Sequence, residues 1–100
     1  MSFEKKLQEE ARLIILRSLA EQIDGHLNSS LLHDELKTYG IPRRPREWVH
    51  DQLSFLAAMG AVIVREAGSV QIATLTKKGQ RHVDREEIIA GVKAPSRVEP

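Results

Sequence analysis

The stretch 42–75 constrains the fold of this chain most, because it joins a helical pattern directly to a hairpin pattern. Pro45 suits the first turn of a helix, where its fixed φ is favourable and its missing N–H would have no partner. Apolar residues at steps of three and four then form one stripe, which predicts a helix over 45–59. The stripe consists of Val49, Leu53, Leu56 and Met59. Gly60 follows at the position of a left-handed C-cap.

The residues after Gly60 predict a two-stranded hairpin. The β-branched and apolar residues 62–64 favour a strand, and the segment 67–69, with Gly68 at its centre, is typical of a turn. Val70, Ile72 and Thr74 then recur at every second position, which favours a returning strand.

A helix that ends in glycine and leads into a hairpin resembles the recognition helix and wing of winged helix-turn-helix repressors of the MarR and PadR type. The spacing of the apolar stripe up to Gly60 carries this resemblance, together with 75–79 (LTKKG), where such domains leave the wing and begin their last helix. The resemblance covers roughly residues 10–85. It implies a mainly α fold with a small β-hairpin, in the order α-β-α-α-β-β-α, and it implies DNA binding. The chain as a whole also resembles small proteins encoded by Mu-like phages and prophages, which implies a regulator or accessory factor.

Residues 3–22 predict a long first helix, since the segment is rich in helix formers and contains neither Gly nor Pro. Between Leu13 and Leu16 this helix is apolar on nearly all sides, so we expect it to be covered on more than one side. The second cover is either a partner subunit or the other helices of the same chain, and the pattern is compatible with both.

Shorter signals connect the first helix to the central helix. Leu27 is expected in a short strand that pairs with the hairpin. Residues 28–30 offer three N-caps for a second helix, which stops at Gly40.

After the hairpin, Thr76 is the predicted N-cap of a fourth helix that runs to about Arg85. The segment 88–92 either extends this helix, forms a strand or docks on a partner. Residues 94–100 contain two prolines and are expected to form a flexible tail, which leaves 1–93 as a single domain.

The composition indicates a globular protein of the cytoplasm. The absence of cysteine excludes disulfides and thiolate metal sites. No apolar run approaches the roughly 20 residues of a membrane span, and the first residues contain no signal-peptide core. The net charge of +1 gives only weak support to nucleic-acid binding, so the distribution of charge matters more than its sum.

Basic residues cluster at the start of the central helix. If this helix enters a major groove, its buried stripe leaves Arg46, His50 and Ser54 on the exposed face. Arg46 can donate two hydrogen bonds to guanine O6 and N7, and His50 can bond another base edge. Arg43 and Arg44 precede the helix, so we expect them on phosphates.

Two further groups are expected to hold phosphates. They are the start of the second helix, with its free N–H groups, and the lysines that follow the hairpin. The full set expected to contact DNA is Ser29, Ser30, Arg43, Arg44, Arg46, His50, Ser54, Arg65, Lys77 and Lys78.

Other features of the same surface favour a protein partner, so a protein–protein interaction module without DNA binding is the alternative. Glu47 and Asp51 lie on the exposed face of the central helix and would repel phosphate. The hairpin tip 67–69 lacks the Arg or Lys that a wing presents to a minor groove, and only Arg65 lies near it.

A homodimer is expected, because a lone winged helix makes few contacts and paired half-sites multiply them. Trp48 either packs at the edge of the core or anchors an interface, and Phe55 lies two helical turns further on near the same side. The residues expected at the dimer interface are Leu13, Leu16, Trp48, Phe55, Ile88, Ile89 and Val92.

The patterns of catalytic and metal sites are missing from the sequence. There is neither a nucleophile elbow nor a glycine-rich phosphate loop. The four histidines show no i, i+4 pair on one helix, and three or four converging ligands would be needed for zinc. We therefore expect no enzymatic activity, no metal and no cofactor.

Overall fold

The computed structural model describes residues 2–96, which form four α-helices and a three-stranded antiparallel sheet. In chain order the elements are α1 (Phe3–Ala20), β1 (His26–Asn28), α2 (Ser29–Thr38), α3 (Arg46–Ala58), β2 (Val62–Ala67), β3 (Val70–Leu75) and α4 (Lys77–Val83). This is the order of elements that the sequence predicts. Helix α1 ends two residues earlier than expected, and α4 ends before Arg85, whose φ of 64° is incompatible with a right-handed helix.

Three of the four helices begin with a side-chain cap. Ser2 accepts from the N–H of Lys5, Asn28 from that of Leu31, and Thr76 from that of Gly79. The exception is α3, which begins after Pro45 without a side-chain cap. The first backbone N–H groups of α3 therefore lack the side-chain acceptor that the other helices have.

The sheet has the order β1-β3-β2, so β3 lies in the centre. Leu27 pairs with Ala73, as the short-strand prediction requires. The β2–β3 hairpin closes through a two-residue turn in which Gly68 has a φ of +65° at the first position, as a type II′ turn demands. Ala73 is fully buried between the sheet and the helices, which fixes the face of β3 that points inward.

The core is built around α1, which packs against α2, α3, α4 and the sheet. Leu13 and Leu16 are 3% and 0% exposed, so the rest of the same chain covers the part of α1 between these two residues. The sequence allows this part of α1 to be covered either by a partner subunit or by the other helices of the same chain, and the structure shows the second arrangement. Within residues 2–96, none of the helices is long and apolar enough to cross a membrane.

The segment after α4 returns over α1 and α3 and completes the core. Ile89 and Val92 are buried, and the main-chain N–H of Lys93 donates to the carbonyl of Glu9 in α1. Over 88–92 the chain is therefore neither helix nor strand but a docked irregular segment. Pro95 is also buried, between the exposed Ala94 and Ser96, and residues 97–100 of the expected tail lie outside the described part of the chain.

Candidate functional site

A concave cleft of about 660 Å³ lies between the start of α2 and the start of α3. It is lined by Ser30, His33, Arg43, Arg44, Pro45, Arg46 and Glu47. Three of these seven residues are arginines, and the uncapped first turn of α3 forms one wall. Backbone N–H groups at a helix start and guanidinium groups both favour an anion, so the cleft is electrostatically suited to one.

The three arginines differ in what they contact within the chain. The side chain of Arg43 is exposed and has no hydrogen-bond acceptor among residues 2–96. Arg46 is exposed and makes one long hydrogen bond of 3.4 Å to the carbonyl of Ser69 at the hairpin tip. Neither of these two is in a salt bridge with a described carboxylate, so both are available to an external anion.

Arg44 is held by the start of α1. Its Nη2 lies 3.0 Å from Oε1 of Glu4, and its Cζ lies 5.6 Å from the centroid of the Trp48 ring. Trp48 donates from Nε1 to the other carboxylate oxygen of Glu4 at 2.8 Å. The hydrogen bond from Trp48 and then that from Arg44 lower the pKa of Glu4 below its ordinary value. An external phosphate would have to compete with Glu4 for Arg44.

His33 fixes the backbone of the cleft. Its Nε2 lies 2.6 Å from the carbonyl oxygen of Arg44, so this ring nitrogen carries the proton and donates. The bond ties α2 to the connection between the two helices. His33 thereby positions Arg43 and Arg44 at the cleft.

The two serines at the start of α2 have different environments. Ser30 is exposed and lines the cleft, as a phosphate contact requires. Ser29 is fully buried, accepts from the main-chain N–H of Gln71 at 3.0 Å and lies 2.9 Å from Nε2 of His50. The expectation that Ser29 contacts phosphate is therefore wrong in this fold, because its hydroxyl joins α2 to α3 and β3 inside the protein.

The outward face of α3 carries both donors and acceptors. Arg46, Glu47, Asp51 and Ser54 are exposed and His50 is half-buried, as the predicted stripe requires. Glu47 and Asp51 make no salt bridge with any cation in the part of the chain that the structure describes. This face is thus polar and mixed in charge, and its two carboxylates have no cationic partner among the described residues.

The remaining basic candidates lie along the hairpin and at its base. Arg65 is exposed on β2, one position away from Val64, which packs on the core, so Arg65 points to the outer face of the sheet. Lys77 is exposed in the first turn of α4, and Lys78 lies 4.0 Å from Glu87. Lys78 also borders Gly60, which places both lysines near the end of α3 that is distant from Arg46.

Most residues expected at a dimer interface are turned inward. Leu13, Leu16, Ile89 and Val92 are at most 6% exposed, and this corrects their assignment to a partner contact. Trp48 and Phe55 are half-buried against the core of their own chain. Ile88, which is 63% exposed, is the one residue of the expected set with an open apolar side chain.

Sequence reasoning missed Glu4, which accepts from Arg44, and Gln71, whose main-chain N–H donates to the Ser29 hydroxyl that contacts His50. It also missed Arg12, whose guanidinium lies over the ring of Phe55. Burial lowers the pKa of Arg12 from its ordinary value. Arg12 is the one charged residue within the apolar run 11–16 of α1. A charge in such a run was the signal from which its structural role could have been predicted.

Each of the four histidines contacts a different partner. His33, His50 and His82 each bond a backbone or hydroxyl group, and His26 lies 3.4 Å from Asp24. Within 2–96 the structure contains no group of three histidine or acidic side chains placed to hold a metal ion.

No protein-family model, no curated protein and no solved structure matches this chain. The function must therefore be inferred from the geometry of the chain itself.

Proposed function

We propose that this protein is a winged helix-turn-helix DNA-binding protein without catalytic activity, which uses α3 as its recognition helix. The support is the order of elements, α1-β1-α2-α3-β2-β3-α4, together with the resemblance of 10–85 to MarR- and PadR-type repressors. The observation that carries the proposal is the cleft at the uncapped start of α3, where Arg43 and Arg46 are in no salt bridge with a described carboxylate. A regulator or accessory factor of a Mu-like phage, acting in the bacterial cytoplasm, is the biological setting we propose.

Phosphate contacts in this proposal lie at both ends of α3. Arg43 and Ser30 hold the backbone at the cleft, and Lys77 and Lys78 hold it near the other end. The helix of 13 residues is about 20 Å long, so these contacts fall on phosphates on either side of one major groove.

In this proposal the hairpin contributes less to DNA binding than α3 does. Its two-residue tip is Gly68-Ser69, with no cation to enter a minor groove, and Gln71 pairs with Glu66 beside it. The same blunt tip favours the second candidate, a protein-interaction module that docks through α3. The experiment below separates the two.

A homodimer on paired half-sites is part of the proposal, because it multiplies the contacts of one small domain. Leu13 and Leu16 pack inside their own chain, so of the residues expected at the dimer interface the exposed Ile88 is our candidate contact. The mass of the protein by sedimentation, with and without duplex DNA, tests this. A doubled mass that Ile88→Asp returns to the monomer value is the expected result.

The first experiment titrates the protein with a random-sequence duplex and follows Trp48, which adjoins the cleft through Arg44. We expect the fluorescence to report binding. The logarithm of the binding constant should fall with the logarithm of the salt concentration at a slope of about −3 to −5, as three to six phosphate contacts predict. Absence of binding at low salt would reject DNA as the partner and favour the interaction module.

Paired variants make this experiment specific to the cleft. Arg43→Glu with Arg46→Glu reverses the two unpaired charges and is expected to abolish binding. Lys6→Glu with Arg17→Glu changes the net charge equally on exposed positions of α1 and is expected to retain it. Equal loss in both pairs would mean that overall charge alone controls binding.

A further inference from the structure

The two rows of polar side chains on α3 have opposite hydrogen-bonding character. Arg46 and His50 are four residues apart and form one row on the side of the hairpin. Glu47 and Asp51 are also four apart and form a neighbouring row at the centre of the exposed face. The first row offers N–H donors and the second offers carboxylate acceptors, and none of the four is in a salt bridge with a described residue.

The network behind His50 makes it a donor toward the outside. Ser29 is fully buried, and its oxygen already accepts the N–H of Gln71, so its single hydroxyl proton goes to Nε2 of His50. This assignment of hydrogens follows from satisfying the network and leaves the ring proton of neutral His50 on Nδ1. Nδ1 has no protein partner and is not among the buried unpaired atoms of residues 2–96, so it is open to solvent.

The carboxylates show which part of DNA this face fits. Phosphates would be repelled by Glu47 and Asp51, which stand at the centre of the face. Base edges in a major groove are different, because guanine offers two acceptors there and cytosine offers the N4 amino donor. A row of donors beside a row of acceptors therefore complements a G·C pair, with one row on each strand.

We propose that α3 reads G·C pairs: Arg46 and His50 donate to guanine O6 and N7, and Glu47 and Asp51 accept from the N4 amino groups of cytosine on the opposite strand. The inference rests on the proposed function and adds the base composition of its target. Residues four apart on a helix rise by about 6 Å, close to the separation of base pairs two steps apart, so the site contains G·C pairs at that spacing.

The test compares duplexes that differ in single functional groups. Competition binding of the full chain uses matched 16-base-pair duplexes of G·C and of A·T, and G·C duplexes with 7-deazaguanine or N4-methylcytosine. We expect G·C to bind at least about tenfold more tightly than A·T, since one good base contact discriminates by that factor or more. We expect each modified base to remove most of this preference, because one lacks N7 and the other blocks the amino donor.

The variants Glu47→Ala and Asp51→Ala, made together, remove both acceptors and distinguish base recognition from simple repulsion of phosphate. The proposal predicts that the pair loses its sensitivity to N4-methylcytosine and most of its G·C preference, while its affinity for A·T duplexes rises. Carboxylates that only repel would instead raise affinity for every duplex by one factor. The pair Glu21→Ala with Glu86→Ala removes the same charge from exposed positions elsewhere and is expected to keep the preference. Circular dichroism of each variant confirms its fold.

The outcomes separate this inference from the proposed function. Binding to duplexes with equal affinity for G·C and A·T, or an unchanged preference in the double carboxylate variant, overturns the reading of G·C pairs and leaves DNA binding intact. Absence of binding to every duplex at low salt rejects the proposed function, and it rejects the recognition of G·C pairs as well. Binding of a protein partner through the same face would then account for the exposed carboxylates of α3.

Discussion

Arg12 and Phe55 form a stacked pair at the junction of α1 and α3, with the guanidinium carbon 3.6 Å from the ring centroid. Arg12 has no carboxylate partner within residues 2–96; instead Nε donates to Oε1 of Gln52 at 2.9 Å and Nη1 to the carbonyl of Gly91 at 2.8 Å. A half-buried cation is thus stabilised by a ring face and neutral hydrogen-bond acceptors. The pair holds the segment that follows α4 against the helices.

Gly91→Ala is expected to destabilise the fold through this pair. Gly91 has a φ of +85°, and a Cβ there would lie 2.4 Å from Cζ of Phe55, whose ring Arg12 holds in place. We expect a loss of about 2–4 kcal/mol in the free energy of unfolding, combining backbone strain with overpacking.

Gly68→Ala is the matched control for this measurement, because Gly68 also has a positive φ but a Cβ there would meet no atom within 4 Å. We expect it to cost about 1 kcal/mol from backbone strain alone. Urea unfolding measures both. Equal losses would show that the contact with Phe55 relaxes without cost.

His82→Phe is expected to loosen the same segment from the other side. His82 is fully buried, accepts from the N–H of Ile89 at 3.0 Å and donates to the carbonyl of Lys93 at 2.9 Å. Phenylalanine fills the space but leaves the buried N–H of Ile89 without an acceptor, which costs about 1–3 kcal/mol. His26→Phe, on the exposed edge strand, is the control and should change stability by less than about 0.5 kcal/mol in urea unfolding. A similar loss in the two variants would contradict the assigned role of His82.

Acid is expected to release the start of α1 from α3. The pKa of Glu4 is lowered from its ordinary value of 4.5, first by the hydrogen bond from Trp48 and then by that from Arg44. The unfolded state therefore binds the proton more readily, so the stabilisation by Glu4 is complete above pH 4.5 and is lost as the pH falls through the lowered pKa.

Glu4→Gln checks this pH dependence. We expect the variant to be less stable than the wild type at neutral pH and the difference to disappear in strong acid, as measured by thermal unfolding across this range. The Trp48 emission should change with a midpoint below 4.5 in the wild type only. A difference in stability that does not vary with pH would rule out the carboxylate as its source.

The elements that the sequence predicts best are those with a local signal. The apolar stripe that begins at Val49, together with Pro45 at the helix start, predicts α3 to within one residue at each end. The segment around Gly68 predicts the turn of the hairpin. Thr76 caps α4 as the sequence predicts, and Asn28 is the one of the three candidates at 28–30 that caps α2. Periodicity and capping act over four residues, so they are visible in one chain without tertiary information.

The long-range hydrogen bonds that hold the side chains of the candidate site in place could not be predicted in the same way. Glu4 meets Trp48 across 44 positions, and Ser29 meets Gln71 across 42. Nothing in the mixed charges at the start of α1 distinguishes Glu4 from a solvated residue. The burial of Leu13 and Leu16 likewise depends on which surface folds back over α1, and a pattern that is apolar on all sides is satisfied equally by a partner subunit.

Lys77→Ala is expected to lower the steepness of the salt dependence of DNA binding by about 1, because one phosphate contact would be lost. Lys77 is exposed in the first turn of α4 and has no carboxylate partner in the part of the chain described, whereas Lys78 lies 4.0 Å from Glu87. Arg65→Ala is the comparison, because Arg65 points to the outer face of the hairpin, and we expect it to leave the slope unchanged. Fluorescence titrations with one duplex at several salt concentrations measure both slopes. The reverse order of effects would place the DNA backbone against the hairpin rather than against α4.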